Sequence, residues 1–336
     1  MTTKTTTIAA IETHNLQKRF GDYLAVNNLN LYVPKGSVFG FLGPNGAGKT
    51  TTLRMLTGLA NPTAGDALVL GESIRNNNRS YLGKIGFLPD VPGFYDWMRP
   101  HEFLSMSGSI FGLSGKRLKS RVAETLELTG LKGVKKRIGS FSRGMKQRLG
   151  LAQALINEPE LVFMDEPTSA LDPLGRKEVL DTISKLAGTT TIFFSTHILN
   201  DVERVCDTVA IINKGALVTQ QRIQDLRQSY SSHFIYLELE NGADLDLGAL
   251  YATAYGSGAA PAPGLTSGVA STPGAPGLAG LEFERYREGW RIKPSDLRAA
   301  QKSLPHFIAE QGLALRRFEL IEPSLEDIFV GLVSQS

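Results

Sequence analysis

Four short apolar or β-branched runs stand out along the chain, at residues 38–42, 161–164, 191–194 and 209–212. None alternates apolar with polar positions, so each reads as a strand buried on both faces and covered by helices. From residue 11 to about 220, short strands alternate with amphipathic helical stretches, the pattern of an α/β domain. Between Pro100 and Pro159 the strand signal gives way to helical periodicity, which predicts a helical subdomain inserted over about 91–158. Residues 1–222 are thus expected to form one domain, and residues 223–336 a smaller accessory domain. In the latter, 233–240 reads as one half-exposed strand. Residues 256–280 then hold 17 Gly, Ala or Pro in 25, and no charge falls between Asp246 and Glu282. So little side-chain bulk cannot offset the entropy of ordering, and a flexible insert is expected there. Past Leu281 the pattern predicts a last helix over 324–333, with Ser324 as N-cap and Asp327 three residues in.

Composition narrows the class. Hydrophobic residues make up 42% and charged residues 21%, as in an ordinary folded domain. A single cysteine, Cys206, rules out an internal disulfide and suits a reducing compartment. The net charge of +3 is too small to argue for nucleic acid. The first ten residues are threonine-rich and lack the apolar core of a secretory signal. No uncharged apolar run reaches the length of about 18 residues that a membrane span needs, so any membrane role is expected to come through a partner.

The chemistry-bearing residues cluster around the apolar runs. Gly43-Pro44-Asn45-Gly46-Ala47-Gly48-Lys49-Thr50 fits G-x-x-x-x-G-K-[ST], following one predicted strand and leading into a predicted helix over 51–59 that opens at Thr51. Glycines let backbone N–H groups line an anion cradle at a helix N-terminus. Lys49 would reach the β- and γ-phosphates of a nucleotide and Thr50 would offer its hydroxyl to Mg²⁺. The bland alternative is a Gly-rich turn that happens to fit. Asp165 and Glu166 leave the run at 161–164 together. Such a pair often only ends a strand. With a phosphate loop upstream, Asp165 is suited to Mg²⁺ and Glu166 to polarising a water as general base.

A resemblance to the ATPases of ABC (ATP-binding cassette) transporters follows from further motifs. Phe141-Ser142-Arg143-Gly144-Met145 resembles the family's signature, residues 165–173 look like Walker B running into the D-loop, and Ser195-Thr196-His197 is similar to the switch-histidine motif. Phe20 matches the aromatic that stacks on adenine in that family. The resemblance implies a P-loop NTPase sheet domain with an inserted helical subdomain, plus a small C-terminal α/β extension. It also implies ATP sandwiched between two cassettes. Residues 43–51 would hold its phosphates in one, and Ser142 and Gly144 would reach the γ-phosphate from the other; His197 would contact that phosphate in cis. Two departures matter. The signature carries Arg143 and Met145 where glycine and glutamine are commoner. Residues 85–90 resemble the Q-loop with Asp90 in place of glutamine, a carboxylate that could still serve Mg²⁺ through water but adds negative charge beside the phosphates.

Phe94, Tyr95 and Trp97 follow the Q-loop and either receive a membrane partner's coupling helix or pack the base of the helical subdomain. Residues 116–148 hold eleven Lys or Arg against Glu124 and Glu127, read as solvated faces or as proximity to an anionic membrane. Nucleic acid is not expected, since a single aromatic residue, Phe141, falls among these charges. The end of the chain, 323–330, looks like the tail of cassettes from drug, antibiotic and ion exporters. The resemblance therefore implies a MgATP-hydrolysing subunit, peripheral on the cytoplasmic face of the cell membrane. It would pair with a second cassette, often an identical one, and power export through a separate transmembrane permease subunit. The alternatives are an importer cassette or a soluble ABC ATPase acting on ribosomes or DNA. One P-loop, no heptad run and one cysteine argue against the last.

Overall fold

The computed structural model describes residues 9–169, 171–229, 234–240, 247, 269–270, 281–322 and 324–334. Of the insert expected over 256–280, all but Val269–Ala270 lies outside the described residues. The chain divides into two compact units, Met1–Leu226 with Phe329–Ser336, and Arg227–Ile328.

In chain order the first elements are β1 (Ala9–Phe20), β2 (Tyr23–Leu29), β3 (Tyr32–Pro34), β4 (Val38–Leu42), α1 (Lys49–Leu56), β5 (Ala64–Val69), β6 (Glu72–Ser73) and β7 (Ile85–Leu88). Helices α2 (Pro100–Ile110), α3 (Gly115–Leu128) and α4 (Arg143–Ala154) follow. Then come β8 (Leu161–Asp165), α5 (Pro173–Leu186), β9 (Thr191–Thr196), α6 (Leu199–Val205), β10 (Thr208–Asn213), β11 (Ala216–Arg222) and α7 (Ile223–Ser229).

A six-stranded sheet in the order β11-β10-β4-β9-β8-β7 is the frame of the first unit. Its strands β10, β4, β9, β8 and β7 run parallel, and β11 closes the edge antiparallel. Every residue of β4, β8 and β9 is buried, as in a parallel sheet covered on both faces. Phe193 is the hub, with ring centroids 5.5 Å from Phe39, 5.1 Å from Phe41 and 5.7 Å from Phe163. The register matters for function. Leu42 pairs with Thr196, and Asp165 and Phe41 both pair with Ser195, so the three central strands end level. Ligands of open parallel sheets sit beyond such carboxyl ends.

A second, antiparallel sheet, β2-β1-β5-β6 with β3 on β1, packs its Ile11, Leu16, Val26 and Val69 into the same core. Between β7 and β8, α2, α3 and α4 enclose their own core around Phe103, Leu104, Leu131, Leu149 and Ile156. Phe94 joins it, edge-on to Phe103 at 5.1 Å, while Tyr95 and Trp97 stay exposed. Packing at the base of the helical subdomain thus holds for Phe94.

In the second unit, β12 (Phe234–Leu239), β13 (Val269–Ala270), β14 (Leu281–Tyr286), β15 (Gly289–Lys293) and β16 (Leu315–Ile321) form an antiparallel sheet ordered β13-β14-β15-β12-β16. Helix α8 (Leu297–Glu310), N-capped by Asp296, lays Leu304, Phe307 and Ile308 on one face. The expectation of a half-exposed strand at 233–240 is corrected here, for all six residues of β12 are buried. Ile235 and Leu237 point into the core, and the opposite side is roofed by long cationic side chains. Arg291 lies 4.8 Å over Phe234, Arg317 lies 5.6 Å over Tyr236, and Arg316 bonds Glu238 at 2.9 Å. The last helix, α9 (Leu325–Ser334), opens with a reciprocal box. Asp327 N–H donates to Ser324 Oγ at 3.2 Å, and Ser324 N–H donates to the Asp327 carboxylate at 2.9 Å.

Candidate functional site

Strand β4 runs into the glycine loop without room for side chains. A Cβ on Gly43 would stand 2.6 Å from the Ile212 carbonyl. Gly48 combines φ +102 with a Cβ position 2.5 Å from the Ala25 carbonyl, so only glycine fits there. From that left-handed turn α1 starts at Lys49, two residues before the expected Thr51, and it ends at Leu56, just short of Gly58 at φ +73. No acidic residue occupies its first turn, which leaves the positive helix end open to an anion.

Lys49 is 6% exposed, and its ammonium donates to the carbonyls of Gly43 at 2.8 Å and Pro44 at 3.3 Å. Its ion pair is with Glu166 Oε1 at 3.3 Å. Glu166 follows β8 at φ +46, a conformation that a non-glycine residue adopts only when its surroundings impose it. Its N–H donates to the Ser195 carbonyl at 2.9 Å. Its second oxygen, Oε2, accepts from Thr196 Oγ1 at 3.3 Å and lies 2.9 Å from His197 Nδ1. One carboxylate thus bridges Lys49 and His197. Asp165, buried at the end of β8, accepts a hydrogen bond from Ser195 Oγ.

The structure therefore brings together Lys49, Asp165, Glu166 and His197. Thr50, exposed at the start of α1, and buried Asp165 supply the hard oxygen donors that suit Mg²⁺. Among the described residues no group of three His, Cys, Asp or Glu could hold a metal alone, so an ion here would complete its shell with phosphate oxygens and water. Phe20 is 54% exposed, with the Lys18 ammonium 4.9 Å over its ring. Ser142 caps α4, its Oγ accepting from Met145 N–H at 3.3 Å. Among the described residues no hydrogen bond joins Ser142 or Gly144 to the Lys49 cluster. Asp90 accepts instead from Ser169 Oγ at 3.1 Å.

Sequence reasoning missed four contributors. Ser195 fixes Asp165, Thr196 fixes Glu166, and the Tyr23 hydroxyl donates to the Gly46 carbonyl at 3.3 Å. Buried Asp201 accepts from Thr168 and Arg176. The Ser-Thr pair before His197 was a usable signal; Tyr23 and Asp201 carry none in a single sequence. Burial pushes the Cys206 thiol well above its ordinary range, with Asp207 and Asp201 adding to it.

A glycine cradle at a helix N-terminus, a buried lysine and an acidic pair beyond a parallel sheet define a P-loop nucleotide-binding domain. A sequence model described as "ABC transporter" matches residues 26–169. The uncharacterized ABC transporter ATP-binding protein YxlF of Bacillus subtilis is 37% identical over 320 residues, which cover 95% of this chain and 98% of that protein. The chain belongs to the ABC transporter ATP-binding proteins and carries their ATP-binding ATPase domain. The bacitracin transport ATP-binding protein BcrA of Bacillus licheniformis is 44% identical over 65% of this chain and 71% of its own. The Nod factor export ATP-binding protein I of Burkholderia orbicola is 39% identical over 63% and 71%. The solved ATP-binding subunit of an ABC transporter superposes with a TM-score of 0.60 at 27% identity, over 66% of this chain and 93% of that one.

Proposed function

We propose that this transporter subunit hydrolyses MgATP between its own P-loop and the signature of a second cassette, and so powers export through a separate transmembrane subunit. The observation that carries this reading is the Glu166 carboxylate held between Lys49 and His197. Those are the two cationic or donor groups that a γ-phosphate would use. An arriving phosphate competes with Glu166 for Lys49, and the freed oxygen can then take a proton from water. His197 and Thr196 keep the other oxygen aimed. Mg²⁺, held through Thr50 and Asp165, would neutralise phosphate charge. Phe20, exposed on the hairpin of β1 and β2, offers the adenine a stacking face. Export is favoured by the Nod factor relative, whose name says export, while that of the bacitracin relative says transport. Among the described residues no helix is long and apolar enough to cross a membrane. Exposed Tyr95 and Trp97 are a surface for the membrane subunit, on the cytoplasmic face of the bilayer.

Glu166→Gln tests the reading. The amide keeps the shape of the site but accepts no proton, so hydrolysis should fall by about 10²–10⁴-fold while ATP still binds. The stalled chain should then elute as a dimer with MgATP, and adding Ser142→Arg should return it to monomer. A Glu166→Gln chain that hydrolyses at the wild-type rate, or stays monomeric at saturating MgATP, refutes it.

A further inference from the structure

The turn after Glu166 is held by two carboxylates from other elements. Its backbone closes where Ser169 N–H donates to the Glu166 carbonyl at 3.2 Å and Leu171 N–H donates to the Thr168 carbonyl at 3.2 Å. Consecutive hydroxyls then tie it outward. Thr168 donates to Asp201, which lies buried in the first turn of α6 and also accepts from Arg176 on α5. Ser169 donates to Asp90, on the segment after β7, at 3.1 Å.

We propose that Asp90 is a positioning residue, which holds the turn through Ser169 and thereby sets where the Glu166 carboxylate reaches. The turn needs such a hold, since Glu166 sits at φ +46 and relaxes toward ordinary backbone if its neighbours let go. Asp201 anchors the turn on its buried side, and Asp90 anchors it from the exposed one. A carboxylate suits that exposed place, because an ionised acceptor makes a shorter and stronger bond than the neutral amide of glutamine. Asp90 thus has a task that needs no metal. The proposal rests on the reading of Glu166 as base, which Glu166→Gln examines separately. Full activity in that variant sinks the base reading and leaves the Asp90–Ser169 coupling measurable.

The experiment is a double-mutant cycle on MgATP hydrolysis by the full chain. Asp90→Ala and Ser169→Ala should each lower kcat by about three- to tenfold, the net weight of one ordinary hydrogen bond, since exposure screens the charge of the acceptor. The KM for ATP and the Mg²⁺ concentration for half-maximal rate should stay within about twofold of wild type, and the double variant should be no slower than the slower single one. Asp90→Asn keeps an acceptor but loses its charge, so its kcat should fall between wild type and Asp90→Ala, while Ser169→Thr keeps the hydroxyl and should retain most of the activity. Melting temperatures should not move, since both side chains are exposed. Three results would each overturn the proposal: losses that multiply in the double variant, a raised Mg²⁺ requirement in Asp90→Ala but not in Ser169→Ala, or no change of kcat in either single variant.

Discussion

Lys49 shows how much a single residue can report. Its ammonium is almost wholly buried, yet every partner it has is an oxygen of the phosphate loop or of Glu166. A buried charge is tolerated only with such company. Lys49→Ala should abolish hydrolysis and weaken ATP binding, measured by nucleotide titration and phosphate release. Turnover at the wild-type rate would mean that the loop does not hold phosphate. Gly48 is as specific in the opposite sense, needing an absent side chain where Lys49 needs a long one. Both positions were legible, because the motif states residue types at fixed spacing next to a strand. The link between Asp90 and Ser169 was not. Their bond spans 79 positions, and only the pairing of β7 with β8 brings the two loops side by side.

At the scale of elements, the buried parallel strands were the easiest to read, since continuous apolar runs have no solvent face to interrupt them. The antiparallel β1 gave a poorer signal. Its register shifts between Leu16 and Lys18 and between His14 and Gln17, which breaks the period-two alternation. Strand β12 was misjudged for a different reason. The arginines that roof its outer face come from β15 and β16, more than 50 positions along the chain. Helix α9 was read correctly because its cap is local. That cap also fixes its response to acid. Burial alone would raise the Asp327 carboxyl, but hydrogen bonds from Arg291 and Ser324 outweigh it and hold the group below its ordinary 3.8. A lowered carboxylate stabilises the fold above its unfolded value, and that contribution is lost as pH falls through the lower folded value. The melting temperature of the second unit should therefore drop steeply below about pH 4. In Asp327→Asn it should start lower at neutral pH and change less on acidification. Parallel acid profiles for the two proteins would show that the Arg291–Asp327 pair carries no linkage. Ser324→Ala should cost about 1 kcal/mol, the usual worth of an N-cap, in a denaturant titration.

The whole chain joins two units with separate cores, one around Phe39, Phe41, Phe163 and Phe193, the other around Ile235, Leu237, Phe283 and Phe307. Every residue proposed to touch nucleotide falls in the first unit. A ligand stabilises only what it binds in folded form, by an amount near 2.7 kcal/mol at one hundred times its dissociation constant. The chain should therefore unfold in two transitions, and MgATP should raise the one that belongs to the first unit. The two tryptophans make this readable, because Trp97 lies exposed in the first unit and Trp290 lies buried in the second. In a Trp97→Phe chain the fluorescence follows Trp290 alone, while far-ultraviolet circular dichroism follows both units. With saturating MgATP the dichroism transition of the larger unit should move up, and the Trp290 transition should stay where it was. If the Trp290 signal rises by the same interval, the units unfold as one, and binding at the P-loop stabilises the whole chain rather than the ATPase unit alone.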